Sequence, residues 1–273
     1  MVVFAGQGDM RRSLALLWRI PAANSERTAP GPKPALSVDA IVDAGIAIAD
    51  ASGISAVSMR EVGRRLGRTG MALYTYVPSK DELVDLMYDR SLAELPTEYA
   101  TDAGWRPALA AWMRDYWAFC LRHPWTLQVS QARPVLGPHE NTMLETVVGI
   151  LYTTGLPART LRRVVGTLVN HVRGAAQTVV DTRQATAATG VTDDAWWAAR
   201  SAAFAELVPD FAERFPAVVR LAREAAVESG PPADAERPYL EQVATDTFDL
   251  GLAVLLDGLE AMVRRDQPLA GRA

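Results

Sequence analysis

An all-α fold is predicted by three features of the 273-residue sequence. Apolar residues recur at helical spacing through every long segment, and no stretch alternates with the period of two that marks a strand. Two Ser-x-x-Glu boxes stand at helix-start positions, Ser58–Glu61 and Ser79–Glu82. Glycine and proline fall where periodic segments stop, as at Gly53, Pro78 and Pro96. The organisation expected is two-part, with no internal repeats.

Hydrophobic residues make up 49 % of the chain and charged residues 22 %, ordinary for a soluble globular protein, and the net charge is −4. The length suffices for one large or two smaller domains. A single cysteine, Cys120, excludes an intrachain disulfide framework and a multi-thiolate metal site. It reads either as a buried small hydrophobe or as a reactive thiol. No uninterrupted apolar run approaches the ~18–20 residues that span a bilayer. Both features lead to the expectation of a cytoplasmic protein without a membrane partner.

The opening "MVVFAGQGDMRRSLALLWRI" carries an apolar piece broken by Arg19, with no small-residue cleavage pattern behind it. It reads as a short amphipathic helix or a disordered lead-in. Residues 21–36 hold four prolines and read as an extended linker, so 1–36 form an extension. Ser37 caps a helix with apolar positions Val38, Ile41, Val42, Gly45 and Ala49, stopped at Gly53. A short helix from Ser58 to near Leu66, a corner at Gly67 and a second short helix from Thr69 to about Val77 follow. A longer helix runs from Ser79 to about Leu95, and residues 37–95 form one domain.

Residues 96–273 form the second. From Trp105 to His123, residues Trp105, Leu109, Trp112, Tyr116, Phe119 and Cys120 make one stripe at ~100° per residue. Met143, Leu144, Val147, Val148 and Leu151 mark the next helix, and Thr160 to about Thr182 another. A loop at 184–194 precedes helical stretches at 195–207 and 211–228, and a final helix covers about 240–265.

The chemistry concentrates at the Gly67 corner. Two such short helices form a rigid bihelical unit only when flanking helices cover them, with Val62, Leu66, Leu73 and Val77 available for the shared core. Arg60, Arg64, Arg65, Arg68, Thr69, Gly70, Met71, Thr75 and Lys80 remain outside. From Ser58 to Lys80 there are five Arg or Lys against one Glu, in a chain that is acidic as a whole. Helix-turn-helix proteins set the second helix into the major groove and the first across the backbone, where basic residues neutralise phosphates. A solvated basic face on a helical corner is the plainer alternative.

The stretch "ISAVSMREVGRRLGRTGMALYTYVPSKDELVDLM" resembles the N-terminal domain of the TetR family of regulators across residues 37–95. The "HPW…RP…GP" pattern further on resembles members with a tetracycline-repressor-like C-terminal domain. The resemblance implies an N-terminal three-helix helix-turn-helix domain and a C-terminal helical ligand-binding and dimerisation domain. It implies a homodimeric repressor on a palindromic double-stranded DNA operator, released by a small-molecule effector of amphipathic or aromatic character. By position, Arg60 would meet phosphate or a guanine edge. Arg68, Thr69, Gly70 and Met71 would face bases, and Thr75 lies on the same exposed face. Tyr74, Tyr76 and Lys80 would grip phosphate; for Tyr74, core packing is the other reading.

In the second domain the resemblance implies dimerisation through helices 160–182 and 240–265. The last helix is apolar over a wide arc at Val243, Leu250, Val254, Leu255, Leu259 and Met262, which requires cover on more than one side. A central helix within one subunit would also satisfy that. Asn170, Arg173 and Gln177 line the polar face of the 160–182 helix, either solvated or turned into an effector pocket. Trp112, Tyr116 and Trp125 would supply that pocket's aromatic wall or serve as plain core, and Trp196 and Trp197 a lid. No cofactor, metal site or catalytic constellation is expected. His123, His139 and His171 lack ligand spacing, and no phosphate loop or nucleophile elbow appears. Ser130 stands roughly where the tetracycline repressor places its magnesium-binding histidine, which argues against a magnesium–tetracycline effector. The alternative function is an all-α small-molecule-binding protein or enzyme with a front domain that does not bind DNA; an activator would look the same in sequence.

Overall fold

The computed structural model describes residues 3, 4, 6–20, 36–228 and 239–266. Nearly all of the expected linker lies outside these; Leu36, at its end, is buried. Among the described residues there are twelve α-helices and no strand, and the one β-type pairing is a parallel bridge between Val3 and Val129. The helices divide between two compact units. One comprises the chain up to Arg173 together with residues from Leu252 onward, the other Gly174–Gly251.

In the first unit, α1 (Met10–Leu17) is an ordered helix capped by Asp9, so the first of the two readings of the opening segment holds. Then come α2 (Val38–Ser52), α3 (Met59–Arg65), α4 (Gly70–Leu73) and α5 (Lys80–Leu92). The hydroxyls of Ser37, Ser58, Thr69 and Ser79 each accept the backbone N–H three residues on, at Ala40, Glu61, Ala72 and Glu82. Each such cap stabilises its helix by about 1 kcal/mol. The reciprocal half of the Ser58 box is replaced: the Glu61 carboxylate takes the Arg64 guanidinium instead, at 2.9 and 2.5 Å. The second short helix also ends sooner than its apolar spacing predicts, at Leu73, and continues as a turn to Val77. Pro78 disfavours helical geometry at the residue before it.

Helix α5 is the hub of this unit. Every residue from Glu82 to Asp89 is buried, because α1, α2 and α7 (Pro138–Tyr152) all pack on it. Three of those residues are acidic, and each has a partner, two of them from distant parts of the chain. Gly6 donates its N–H to the Asp85 carboxylate at 3.0 Å. Asp89 accepts from the N–H groups of His139 and Glu140 at 3.0 and 2.9 Å, capping α7 from outside its own chain segment. The Ser79 hydroxyl meets Glu82. Burial pushes the Asp85 carboxyl up to about 6; the Gly6 N–H opposes that rise, while Asp81, Glu82 and Glu140 add to it.

Helix α6 (Trp105–Arg122) ends at a buried His123, followed by a 3-10 turn (Pro124–Gln128). Arg106 on α6 holds Asp257 and Glu260 at 2.5 and 3.1 Å, fixing the last turns of α12 (Tyr239–Asp266). Helix α8 (Ala158–Thr189) runs seven residues beyond its expected end at Thr182, because alanines, the best helix formers, populate the stretch that had read as a loop.

The second unit contains the latter part of α8, then α9 (Asp193–Leu207), α10 (Phe211–Arg214), α11 (Pro216–Glu228) and the first turns of α12. The expected 211–228 helix is broken at Phe215 because Pro216 opens a new one. From Asp193 to Ala226 no described residue is buried.

Candidate nucleic-acid interface

Two glycines set how closely α3 and α4 approach. A Cβ on Gly63 would stand 2.8 Å from the Arg68 carbonyl oxygen and 2.9 Å from the Gly70 nitrogen. One on Gly70 would press on the Arg60 backbone at 3.2 Å. Gly67, at φ 65°, turns the corner between them in the left-handed region, and Arg68 donates its N–H to the Gly63 carbonyl at 2.8 Å. Beneath this corner Val62, Leu73 and Val77 are wholly buried, with Leu66 half-buried.

The outer surface is the opposite in character. Arg60, Arg64, Arg65, Arg68, Thr69, Met71, Tyr74 and Thr75 are exposed; Tyr76 and Lys80 are half-buried. Met71 is 76 % exposed, an unusual degree for a large apolar side chain with no covering neighbour. Tyr74 is exposed as well, which removes core packing as its role. Gly70, half-buried, faces the backbone of α3. The Glu61–Arg64 pair holds the Glu61 carboxyl below its usual range, chiefly through the side-chain hydrogen bond. Arg60, Arg65 and Arg68 have no carboxylate within ion-pair distance among the described residues. Lys80 is the first residue of α5, at a helix N-terminus that already favours anions.

A second constellation lies at the far end of α2. The Asp50 carboxylate accepts from Trp125 Nε1 at 2.8 Å and lies 2.7 Å from His123 Nδ1. His123 Nε2 lies 3.1 Å from Glu94. Main-chain oxygens of Thr126, Leu127 and Val129, in and just after the 3-10 turn, accept from Arg173 Nη2 at 3.3, 3.1 and 3.0 Å. Arg173 thus leaves the polar face of its helix and reaches inward toward Tyr116, Tyr88 and Cys120. Trp112 and Tyr116 stack at 5.5 Å, and Tyr116 and Phe119 at 6.0 Å. Burial pushes the Cys120 thiol up to about 12, so it is a protonated core side chain.

Of the six residues expected around an effector, Trp125 lies in this turn, Arg173 bonds its carbonyls and reaches toward Tyr116, and Trp112 stacks on Tyr116. Asn170 is exposed, and Gln177 donates its amide to Asp181 on its own helix. Asp50 and His123 were not legible as partners because 73 residues separate them. A wide groove of about 1110 Å³, lined by Thr97, Tyr99, Leu144, Val148 and Thr153, lies along α7 and has no counterpart in the sequence reading.

A short bihelical corner, closed by glycines, capped by hydroxyls and faced with arginines, defines a helix-turn-helix DNA-binding protein. The chain matches the family described as bacterial regulatory proteins, tetR family, over residues 41–87, and the tetracyclin repressor-like C-terminal domain over 99–263. It is 37 % identical to the HTH-type transcriptional repressor DrrR1 of Streptomyces coeruleorubidus, across 95 % of this chain and 88 % of that protein. It belongs to the TetR family of transcriptional regulators. Its fold is similar to that of apo ActR from Streptomyces coelicolor, with a TM-score of 0.64, 24 % identity, and 88 % and 99 % of the two chains covered. It is likewise similar to ActR in complex with actinorhodin, with a TM-score of 0.62, 24 % identity, and 84 % and 97 % covered. No helix among the described residues is long and apolar enough to cross a membrane.

Proposed function

We propose that the chain is a homodimeric repressor that binds a palindromic operator and is released by a small-molecule effector. Residues 37–95 bind DNA, and residues 96–273 bind the effector and form the dimer. The observation that carries this reading is the exposed arginine set, of which Arg60, Arg65 and Arg68 are unpaired among the described residues, around a corner whose interior is packed. A protein with no nucleic-acid partner has no need of that arrangement. Arg60 and Lys80 meet phosphates, together with Tyr74 and Tyr76, while Arg68, Thr69, Met71 and Thr75 face the groove. ActR, solved in complex with actinorhodin, supports a small-molecule effector.

The dimer reading rests on α12. Ala244, Phe248, Leu252, Leu256, Leu259 and Val263 are buried by this chain, whereas Val243, Leu250 and Val254 are left exposed. A Cβ on Gly258 would meet nothing within 4 Å, which leaves room for a partner's backbone. A gel shift on the DNA upstream of the protein's own coding region tests the function, with a retarded complex that an effector dissolves as the expected result. Leu250→Asp is expected to convert dimer to monomer in sedimentation velocity and to abolish the shift; a dimeric variant would refute the assignment of α12.

A further inference from the structure

The segment ahead of residue 21 is fastened at both ends and in its middle, all within the first compact unit. Val3 donates its N–H to Gln128 at 2.9 Å and accepts from Ser130 at 2.8 Å. Gly6 donates to Asp85, and Gly8 lies so close to Glu82 that a Cβ there would stand 2.2 Å from its carboxylate. Trp18 Nε1 donates to the Leu136 carbonyl at 2.9 Å, and Arg19 pairs with Asp39 in the first turn of α2. These anchors fix the direction of α1. Gly8 meets α5 in its first turn, whereas Leu17 lines a small cavity with Leu86 and Asp89, further along α5. Helix α1 therefore runs beside α5 in the same sense, with its first turn at the Lys80 end. Ser13 and Leu17, one turn apart, are the residues it buries. Met10, Arg11 and Arg12 stand exposed on that first turn. Neither arginine has a carboxylate within ion-pair distance among the described residues. Asp9 caps the helix through the Arg12 N–H at 2.8 Å, and Glu82 is buried. The exposed acids left at this end, Asp9 and Asp81, are outnumbered by Arg11, Arg12 and Lys80.

We infer that α1 extends the DNA-binding surface beyond residues 37–95, and that Arg11 and Arg12 take backbone phosphates beside the one proposed for Lys80. This inference rests on the DNA-binding reading above and adds a contact from outside the helix-turn-helix corner. Guanidinium groups on the flank of a groove-bound corner neutralise phosphate without reading sequence. The fastening is what makes the contact effective. A free basic arm must be ordered when it binds, and that ordering is subtracted from its affinity. Here the cost is met during folding, by the Val3 pairing, the Gly6 and Gly8 contacts and the burial of Leu17. The arginines are thus already placed at the end of α5 that faces the duplex.

The test is fluorescence anisotropy of the full chain on the DNA upstream of its own coding region, across a series of salt concentrations. The double variant Arg11→Ala/Arg12→Ala is expected to bind about ten-fold more weakly and to lower the slope of log affinity against log salt by about two units. Arg11→Lys/Arg12→Lys is expected to keep most of that slope, since lysine also neutralises phosphate. Alanine is the best helix former, so α1 is expected to persist and the melting temperature to hold. Where the melting temperature falls, Arg11→Gln/Arg12→Gln is read in its place, with the same loss of slope expected. A slope within about half a unit of the wild type, while Lys80→Ala lowers it, would overturn the role of α1 and leave the helix-turn-helix reading standing. A changed sequence preference in a selection experiment would overturn the phosphate assignment. A wild-type chain that binds neither this fragment nor a mixed-sequence duplex would overturn both readings.

Discussion

The corner of α3 and α4 and the stretch from α9 to α11 are both assembled from short helices, yet their burial is opposite. At the corner, eleven residues of helix enclose Val62, Leu73 and part of the unit's core, and hydroxyl caps close the helix starts. Between Asp193 and Ala226 the aromatic side chains pair with one another and with arginines of the same stretch, Arg200 over Trp196 and Arg214 over Phe215. Trp196 meets Trp197 edge-on at 4.9 Å, and Phe211 meets Phe204 and Phe215 at 5.0 and 4.9 Å. Trp196, Trp197, Phe204, Leu207 and Leu221 remain exposed. Helices this short are marginal without tertiary cover. The first region owes its order to its own chain; the second carries an apolar face that its own chain leaves open.

Substitution should break this contrast most sharply at Leu73. Leu73→Ala is expected to cost about 2–5 kcal/mol of stability in urea unfolding, as a wholly buried leucine in a close-packed site. A loss under 1 kcal/mol would mean the corner is looser than its burial indicates. The next effect concerns pH and the buried acids of α5. Asp85 titrates near 6 in the folded chain against an ordinary 3.8, so the folded state holds its proton more tightly. Its contribution is fully present below about pH 4 and is lost as pH rises through 6. Asp89 and Glu140 are raised by burial in the same direction. The melting temperature is therefore expected to fall by a few degrees over that window, on the order of 1 kcal/mol once solvent screening is allowed for. Asp85→Asn should flatten the profile, and an unchanged slope would contradict the assignment.

A third measurement separates charge from packing at the corner. Lys80→Ala is expected to leave stability intact and lower the salt dependence of operator binding by about one unit of slope. An identical slope would remove Lys80 from the phosphate contacts. The smallest effect belongs to the exposed stretch. Leu221→Ala should change stability by no more than about 0.5 kcal/mol, and a larger change would show that this face is covered in solution.

What was legible in the sequence was local. Caps, the glycine corner and the basic set all depend on residues within a few positions of one another, where propensity and spacing act directly. Pairings across long stretches of chain were not. Gly6 finds Asp85 79 residues away, Val3 pairs with Val129, and Arg173 turns from its helix's polar face onto the carbonyls of a distant turn. Each of these is decided by which groups the packed core leaves in need of a partner. Hydrophobic periodicity carries no record of that. Which side of α12 this chain buries was not legible for the same reason. Its face at Ala244, Phe248, Leu252 and Leu256 was hidden within a helix apolar nearly all round, and only the packing of one chain distinguishes it from the side at Leu250 and Val254.

The closeness of Gly63 and Gly70 bears on how such a regulator changes its target. A side chain at Gly63 would part the two helices, and one at Gly70 would need the α3 backbone to give by a few tenths of an ångström, so mutational search at both is constrained. Thr69 is partly closed too, since its hydroxyl serves as the cap of α4. On the contacts proposed above, new operator preferences would arise at Arg68, Met71 and Thr75. A randomised library for redirecting this protein to another promoter should vary those three and leave the glycines fixed.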